Sequence, residues 1–522
     1  MTRITGGETL VRSLISEGVD TVFGIPATSL IQLYDALYRH QGEICHILAR
    51  HEQGVAFMAD GYARSTGKAG VAIVDPGPGV TNALTAIGEA HYGSSPLLVV
   101  TIPRAGQDRV LEYATKWRRT VRSAKEIPYA LQEAFDQLRF QRAVTLQIPR
   151  NILNDKADVG FPERKDPPNP PLPSEEMDRA ASWLVQSKHP LIYAGERATR
   201  CGASSELLRL AEQLQAPMLV RPMGKGVIPE HHPLALGNAW FEKGAGDPLM
   251  ERIDLIIGVG ASPTSMPSSR FPDRQIHLDV DPDELGTERE RPLGIAGHLP
   301  EILRTLSQKL TEKDRQKRTA PIKEIEVARK KTMEIAESYG LGATQALNIL
   351  KDLRSALKPD AILMADSLIG LWANRCFDIL IPRGYHFPMG FGTLGFSVPA
   401  AIGAKVGNPD RQVVALCGDG AFMFTANELA SAVQARTPIV VVVCNDRAYG
   451  AIKYRQRTEC GGRYIATDLV NPDFAAFAAS FGATGVKLQD PHELRSAMEQ
   501  AVCAESVTVI DVPVSPSLDP PV

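Results

Sequence analysis

Short apolar runs alternate along most of the chain with segments whose apolar residues recur at helical spacing. In the last third, Val413 to Cys417 and Ile439 to Cys444 are apolar runs of strand length, and each ends at a polar turn, Gly418-Asp419-Gly420 or Asn445-Asp446. Thr425-Ala426-Asn427-Glu428 then predicts a capping box that opens an amphipathic helix. Strands and helices in alternation predict a parallel sheet, in which the ends of both strands meet at one edge.

The N-terminal part of the chain shows the same alternation, so the two ends are candidates for a shared fold. We expect strands at Thr21–Phe23, Ile44–Leu48, Val71–Val74 and Leu97–Ile102, and helices at Gly6–Glu17, at Glu52–Ser65 and from Asn82.

A proline-rich stretch, Asp166 to Pro173, separates this part from a middle region, because so many prolines cannot enter a helix or a sheet interior. Strands are predicted there at Pro190–Tyr193, Met218–Arg221, Leu255–Val259 and Gln275–Leu278. A charged linker, Lys309 to Arg318, leads to the third region, whose first strand is Ala361–Met364. The pattern therefore predicts an α/β protein of three doubly wound parallel-sheet domains, at residues 1–166, 174–309 and 341–522.

The composition excludes several classes of protein. The chain has 522 residues, of which 44% are hydrophobic and 22% charged, and its net charge is −3, which predicts no bulk attraction to nucleic acid or to an anionic membrane. Seven scattered cysteines without a CxxC pair argue against a disulfide framework or a zinc site. The charged N-terminus does not read as a signal peptide, and no apolar run is long enough to span a bilayer, so we expect a cytoplasmic protein.

The polar turns suggest a chemistry. Gly418 and Gly420 allow a close approach of the backbone to a diphosphate, and the following helix start offers free N–H groups. Asp419 and Asp446 supply hard oxygen ligands suited to Mg²⁺. An ordinary turn would explain Gly-Asp-Gly equally well by itself, but the second acidic turn favours a metal-bridged diphosphate.

These residues resemble the signature of thiamine-diphosphate-dependent enzymes, Gly-Asp-Gly followed about 25 residues later by Asn-Asn or Asn-Asp, and the resemblance covers nearly the whole chain. It implies that thiamine diphosphate binds along the two turns, and that Asp419, Asp446 and the backbone carbonyl of Ala448 hold Mg²⁺. The resemblance also implies that five further residues in or beside these two turns touch the cofactor: Gly418, Gly420, Ala421, Tyr449 and Gly450. The family usually has Asn at the position of Asp446, where a second carboxylate suits the metal but repels the diphosphate.

Glu52 opens a helix within ARHEQGVAFMADGYAR, which resembles a family block with a glutamate at this position. That glutamate hydrogen-bonds the cofactor's aminopyrimidine, so that its 4′-imino form can take the proton from C2 of the thiazolium. The resemblance thus implies that Glu52 is catalytic; the alternative is a first-turn glutamate that complements the helix dipole. Asp75, in a glycine-proline turn, and Thr28, in a loop after a strand, are implied to line the substrate pocket.

Two further loops are implied to hold the cofactor. Ser367 and Leu368 follow a predicted strand where family members touch the diphosphate. The run Met389 to Gly395 matches a GxGxxG pattern, but it lacks the strand before it and the helix after it that a dinucleotide site needs. It resembles instead a family block in which Leu394 would hold the cofactor in a bent conformation, while the carbonyl of Gly392 accepts a hydrogen bond from the 4′-amino group.

The overall pattern is closest to the acetolactate synthase branch, with benzoylformate decarboxylase-like enzymes also near. Some synthases of that branch bind FAD in the middle domain through an Arg-Phe-Asp-Asp-Arg stretch. This chain has Gly260 to Thr264 there, which makes FAD doubtful. Arg455 stands where the branch usually has Trp, which suggests an anionic acceptor near the site.

The resemblance therefore implies a C–C bond lyase or ligase that decarboxylates a 2-oxo acid and joins the remainder to a second carbonyl compound, a 2-oxo acid or an aldehyde. A simple 2-oxo acid decarboxylase is the alternative. An FAD- or NAD-dependent oxidoreductase and a non-catalytic binding relative are the other classes. Family members form homodimers or homotetramers with the active site at the subunit interface. The sequence does not name the substrates or the product.

Overall fold

A computed structural model describes residues 3–163, 169, 171–238, 247–261, 265, 272–285, 292–312, 314, 318–515 and 519–521 of the chain. Three six-stranded sheets account for most of the strands, and each is parallel throughout. Helices flank each sheet, so the expected α/β doubly wound fold is confirmed.

The first sheet has the strand order β3-β2-β4-β5-β7-β6. An antiparallel pair of two-residue strands, β1 and β8, lies beside it. The strands are β1 (Ile4–Thr5), β2 (Thr21–Gly24), β3 (Cys45–Leu48), β4 (Gly70–Ile73), β5 (Leu97–Thr101), β6 (Trp117–Thr120), β7 (Val144–Gln147) and β8 (Lys156–Ala157). The α-helices are Gly6–Ser16, Ile31–Arg39, Glu52–Thr66, Pro78–Tyr92, Gln107–Ala114, Ile127–Leu138 and Arg150–Asn154.

One predicted boundary in this region is wrong. The helix expected from Asn82 begins at Pro78, directly after Gly77, whose φ is +72°. Proline suits the first position of a helix because the N–H that it lacks has no partner within the helix there. The glycine-proline turn is therefore the start of the helix itself.

The middle sheet has the order β11-β10-β9-β12-β13-β14. Its strands are β9 (Pro190–Ala194), β10 (Met218–Val220), β11 (Ala235–Asn238), β12 (Leu255–Val259), β13 (Gln275–Asp279) and β14 (Leu293–Ala296). The described helices here are Ser174–Gln186, Glu196–Arg200, Ser204–Leu214, Asp247–Met250 and Leu299–Lys309. Ser262 to Thr264, part of the stretch on which the FAD expectation depended, lie outside the described residues, as do Asp166 to Pro168 of the proline-rich linker.

The third sheet has the order β16-β15-β17-β18-β20-β19. Its strands are β15 (Ile362–Ala365), β16 (Tyr385–His386), β17 (Val413–Gly418), β18 (Val440–Asn445), β19 (Thr484–Lys487) and β20 (Thr508–Pro513). The helix Ile322–Ser338 leads into this domain and packs against the cores of both the middle and the third domains. The helices of the third domain are Leu341–Ala356, Ser367–Cys376, Ser397–Gly407, Asp419–Thr425, Leu429–Gln434, Gly450–Glu459, Phe474–Ser480 and Leu494–Ala501. When the strands are numbered in chain order within each sheet, the first and third sheets both have the strand order 2-1-3-4-6-5. The two ends of the chain therefore do share a fold.

The predicted capping box does not form. The helix after β17 begins at Asp419, inside the glycine turn, and Thr425 is its last residue. The Thr425 hydroxyl donates to the carbonyl of Gly395, and the Glu428 carboxylate accepts from backbone N–H groups of Arg50 and His51 in the first domain. A tertiary contact has therefore replaced the local one that the sequence favoured.

The first and third domains share one apolar core, in which the helices Glu52–Thr66 and Ser397–Gly407 pack against each other. Glycines make this contact possible: a Cβ atom on Gly61 would lie 2.1 Å from the carbonyl oxygen of Ala400, and one on Gly403 would lie 1.8 Å from that of Met58. Arg64, fully buried on the same helix, pairs with Asp60 at 2.8 Å and Glu89 at 3.0 Å. The two backbones are thus held in direct contact.

Gly403→Ala tests this contact. Alanine in a helix interior is normally favoured over glycine by about 1 kcal/mol. Here we expect the reverse, a loss of about 2 kcal/mol in the free energy of unfolding, because the new Cβ overlaps a backbone atom that has no room to move. Denaturant unfolding measures the change. Gly42→Ala, where the structure places no atom within 4 Å of the new Cβ, is the control and should be nearly neutral. A Gly403→Ala protein as stable as the parent would contradict the close packing.

Candidate active site

A cavity of about 470 Å³ opens at the carboxyl edge of the third sheet. The chain crosses there from β15 and β16 to β17 on the other side of β15, so the cavity lies at the topological switch point, where ligands bind in doubly wound sheets. All twelve residues expected to touch the cofactor line it: Ser367, Leu368, Gly392, Leu394, Gly418, Asp419, Gly420, Ala421, Asp446, Ala448, Tyr449 and Gly450.

The ends of β15 and β17 are fastened to each other beside the cavity. Ser367 adopts a φ of +57°, which is unusual for a residue other than glycine, and its hydroxyl accepts a hydrogen bond of 2.8 Å from the N–H of Gly418. The helix Ser367–Cys376 begins at this residue, and the helix Asp419–Thr425 begins one residue after Gly418. Two helix N-termini therefore face the cavity, an arrangement that favours a bound anion such as a diphosphate.

Asp419 and Asp446 form a like-charged pair on the same rim. Burial, and next the neighbouring charge of Asp419, raise the pKa of Asp446 to about 7, and burial also raises the pKa of Asp419. The Asn471 amide donates to Asp419 Oδ2 at 2.5 Å, and the Ala448 N–H donates to Asp446 Oδ1 at 3.1 Å. Asp419 is fully buried, Asp446 is half-buried, and their side chains are within hydrogen-bonding reach of each other, so the pair needs a shared proton or a cation.

The donor set fits Mg²⁺ only with help from the backbone. The described residues contain no cluster of three or more His, Cys, Asp or Glu side chains that could hold a metal. Within the described residues, no backbone N–H group outside the helices and strands donates to the carbonyl oxygen of Ala448, which leaves this oxygen for a ligand. Two carboxylates and one carbonyl are hard oxygen donors of the kind that Mg²⁺ accepts, with other positions left to phosphate and water.

The loop that carries Leu394 needs its glycines. Gly392 and Gly395 have φ values of +72° and +80°, and a Cβ on Gly395 would lie 2.7 Å from the Cβ of Phe424. At the end of the loop, Asp366 Oδ2 accepts from the N–H of Ser397 at 3.2 Å, and burial raises the pKa of Asp366 to about 6. The loop is thereby tied to the end of β15, and Leu394 is half-buried against the shared core.

Glu52 lies at the equivalent edge of the first sheet, at the N-terminus of its helix. One of its carboxylate oxygens accepts a hydrogen bond of 3.0 Å from the Asn82 amide, and a Cβ on Gly79 would lie 3.5 Å from the other. Asp75, which follows β4, accepts a hydrogen bond from Ser29, the neighbour of Thr28 in the loop after β2. These residues therefore surround the switch point of the first sheet.

Four predicted residues lie away from the described lining of the cavity. Glu52, Thr28 and Asp75 belong to the edge of the first sheet, and Arg455 is 66% exposed on the helix Gly450–Glu459, paired with Glu459 at 2.7 Å. Sequence reasoning missed Asn471 at the carboxylate pair and Asn82 and Ser29 around Glu52 and Asp75. Asn471 stands in a loop between two helices, and nothing in its surroundings distinguishes it from an ordinary Asn-Pro turn.

Two α/β domains share one topology. One has an acidic helix start, and the other has a cavity at two helix N-termini beside paired carboxylates, as expected of a cofactor-dependent enzyme of the thiamine class. Three family descriptions match the chain: the N-terminal TPP binding domain of thiamine pyrophosphate enzymes at residues 4–138, their central domain at 177–306 and their C-terminal TPP binding domain at 368–512.

Similar proteins extend over nearly the full chain. The probable acetolactate synthase large subunit of Methanocaldococcus jannaschii is 30% identical over 98% of this chain and 92% of its own. The acetolactate synthase isozyme 3 large subunit of Escherichia coli K12 is 30% identical over 96% and 93%. A probable 2-ketoarginine decarboxylase of Pseudomonas aeruginosa is 34% identical over 98% and 94%.

The chain therefore belongs to the thiamine pyrophosphate enzyme family and is a thiamine-diphosphate-dependent enzyme, which confirms the resemblance seen in its sequence. Within the described part of the chain, no helix combines the length and the apolar character needed to cross a membrane.

Asp446→Asn tests the electrostatics of the carboxylate pair in the metal-free protein. The pKa of Asp446 is raised from 3.8 to about 7 on folding, so its destabilising effect grows as pH rises from about 4 to 7 and is constant above. A neutral amide removes this effect. We expect the variant, in the presence of a chelator, to exceed the parent in stability by about 1 kcal/mol or more at pH 8.

Thermal unfolding at pH 5 and pH 8 measures the difference, which should be much smaller at pH 5, where the native pair keeps its proton. An equal gain in stability at both pH values would show that charge repulsion does not cause the gain.

Proposed function

We propose that this enzyme decarboxylates a 2-oxo acid with the help of thiamine diphosphate and Mg²⁺, and joins the remaining carbonyl unit to a second 2-oxo acid or an aldehyde. The observation that carries the proposal is the convergence of all twelve predicted residues on one cavity at the switch point of the third sheet, with Glu52 at the equivalent edge of the first. The similarity to acetolactate synthase large subunits supports this reaction class.

The residues of the third domain would anchor the cofactor. Asp419, Asp446 and the Ala448 carbonyl would hold Mg²⁺, and the N–H groups at the starts of the helices Ser367–Cys376 and Asp419–Thr425 would bind the diphosphate. Tyr449 and Gly450 close this side of the cavity. Gly392 and Leu394 would set the orientation of the ring.

When bound, thiamine diphosphate supplies a nucleophilic carbon and an electron sink for the decarboxylation. Glu52 would hold a proton at its carboxyl group against a ring nitrogen of the cofactor, and the Asn82 amide, which donates to Glu52, would orient that carboxyl group. Thr28 and Asp75, at the same edge, would face the substrate. The exposed guanidinium of Arg455 would meet a carboxylate of the acceptor once its pairing with Glu459 is exchanged.

A simple 2-oxo acid decarboxylase is a second candidate, and one observation favours it. The relative of 34% identity is described as a probable 2-ketoarginine decarboxylase, and this similarity spans both chains almost completely. The two candidates share every step up to the loss of carbon dioxide, and they differ in whether a proton or a second carbonyl compound then adds. Product analysis separates them.

We infer that the active site is completed by a second copy of the chain. All described residues that line the cavity belong to the third domain, whereas Glu52 lies in the first. Exposed apolar side chains flank the cavity: Met423 and Phe424 are 45% and 51% exposed, and Ile452 is 54% exposed. A homodimer in which Glu52 of one copy faces the cavity of the other would cover these side chains and unite the two half-sites.

A close backbone contact occupies the switch point of the middle sheet, within the part of the domain that the structure describes. At the switch point between β9 and β12, a Cβ on Gly195 would lie 2.2 Å from the carbonyl oxygen of Gly260, so the two backbones touch where a dinucleotide would enter. The Arg197 side chain lies buried beside this point and pairs with Asp279 at 2.9 Å. We therefore propose that thiamine diphosphate acts without FAD.

Glu52→Gln tests the catalytic role. The amide keeps the shape of the side chain but cannot exchange a proton with the ring nitrogen, so we expect kcat for 2-oxo acids to fall by about 100-fold or more while the fold is unchanged. Mass spectrometry of the products from a panel of 2-oxo acids, with thiamine diphosphate and Mg²⁺ added, identifies the reaction and the substrate. Undiminished turnover by the variant would refute the proposed role. Activity that needs a flavin or a nicotinamide would point to an oxidoreductase instead.

Mixing two inactive variants tests the shared site. Glu52→Gln and Asp419→Asn proteins should each be inactive, but an equal mixture, after dissociation and reassociation, should regain about a quarter of the parent activity, because half of the dimers are mixed and each holds one intact site. A site built within one chain would leave the mixture inactive. Each variant, dissociated and reassociated alone, is the control.

A further inference from the structure

Glu428, in the third domain, holds the loop that precedes Glu52 in the first domain of the same chain. Its side chain is fully buried. Oε1 accepts from the N–H of His51 at 3.0 Å, and Oε2 accepts from the N–H of Arg50 at 3.0 Å and from the Ser431 hydroxyl at 2.6 Å. Two consecutive N–H groups immediately before the Glu52 helix are thus fixed by one carboxylate.

Glu89 makes the reverse contact. It is fully buried in the first domain, on the helix Pro78–Tyr92, and accepts from the N–H groups of Gly390 at 3.3 Å and Phe391 at 2.7 Å in the third domain. Those residues begin the loop that ends at Leu394 and Gly395. The Arg64 guanidinium donates to Glu89 at 3.0 Å and orients it.

The two contacts follow one pattern. Each domain contributes one buried carboxylate, and each carboxylate binds two consecutive backbone N–H groups in a loop of the other domain. A charged acceptor forms stronger hydrogen bonds than a neutral one, and a buried carboxylate is tolerated only when such bonds compensate it. The positions of the two loops are therefore sensitive to the loss of the charge on Glu428 or on Glu89.

We propose that Glu428 and Glu89 are positioning residues for the cofactor: Glu428 sets the position of Glu52, and Glu89 sets that of the Leu394 loop. The inference rests on the proposed roles of Glu52 and Leu394. In the proposed dimer, Glu428 also links one active site to the other. It lies nine residues after Asp419 of its own cavity, whereas the Glu52 that it positions serves the cavity of the partner, so Glu428 would connect the two sites.

The two residues should affect different steps. Glu428→Gln replaces one acceptor oxygen with an NH₂ group that faces an N–H donor, so Glu52 loses its fixed position. We expect kcat to fall by about 10-fold to 100-fold, because small misplacement of a catalytic group has effects of this size, with the Kd for thiamine diphosphate nearly unchanged. Glu89→Gln should instead raise that Kd by about 10-fold, since it releases the loop that shapes the cavity.

Asp254→Asn is a matched control within the middle domain. Its carboxylate accepts from the consecutive N–H groups of Lys188 at 2.8 Å and His189 at 3.1 Å, and also from a serine hydroxyl, that of Ser187. The bonding thus resembles that of Glu428 but holds no part of the proposed active site. The control should lose stability without a change in kcat or in cofactor affinity.

Hydrogen exchange of the cofactor-free proteins gives a readout that does not depend on activity. Exchange should be about 10-fold faster at residues 50–52 in Glu428→Gln and at residues 390–391 in Glu89→Gln, with no change in the other segment. Gly54→Ala provides a second route to the same effect, because its Cβ would lie 2.2 Å from Glu428 Oε1 and displace the carboxylate. If Glu428→Gln does not fold, Ser431→Ala, which removes one donor to this carboxylate, should show a smaller effect at residues 50–52.

Three results would overturn the proposal. One is unchanged exchange and kcat in both Glu428→Gln and Gly54→Ala, and another is an equal loss of kcat in Asp254→Asn. The third is a Glu428→Gln protein that keeps full activity while the Glu52→Gln protein is inactive. This result would refute only the positioning role of Glu428. A fully active Glu52→Gln would refute the proposed function itself, and with it the reason to position Glu52.

Discussion

The direct contact between the helices Glu52–Thr66 and Ser397–Gly407 is the constraint on which the active-site geometry depends. Gly61 and Gly403 bring one helix against the backbone of the other, and the buried ion pairs of Arg64 surround the contact. Close-packed backbones cannot slide without overlap, so the first and third domains behave as one body around a common core. The start of the Glu52 helix and the loop of Leu394 are consequently fixed relative to each other within each chain.

The repeated topology of those two domains gives the site its two halves. In each sheet, the strand order 2-1-3-4-6-5 opens a crevice between the first and third strands in chain order. One crevice is lined by glycines, helix starts and two carboxylates, and the other by Glu52, Asp75 and their hydrogen-bond partners. In the proposed function, one crevice would anchor the charged cofactor and the other, in a domain of the same topology, would supply the group for proton transfer.

The crevice of the third sheet contains two acidic side chains close to each other. Asp419 and Asp446 raise the free energy of the metal-free protein, because burial disfavours the charged form of both and the charge of Asp419 disfavours that of Asp446. A divalent cation bound by the pair, as proposed above, would relieve this repulsion and offset the cost of keeping the two carboxylates together. The buried carboxylates of Glu428 and Glu89 differ from this pair, since backbone N–H groups within the protein already compensate them.

The sequence by itself determined the fold class, the strands that it predicted and twelve of the residues that line the cavity of the third sheet, because these follow from local patterns: apolar runs, the turns that end them and the family motifs in those turns. It did not determine the partners of Glu428, which satisfy N–H groups almost 380 positions away in the chain instead of capping the nearest helix. Nor did it reveal Asn471 beside Asp419. Tertiary structure decided these contacts, because a buried carboxylate binds whichever unpaired donors the packing of the domains brings within reach, and no local pattern encodes that choice.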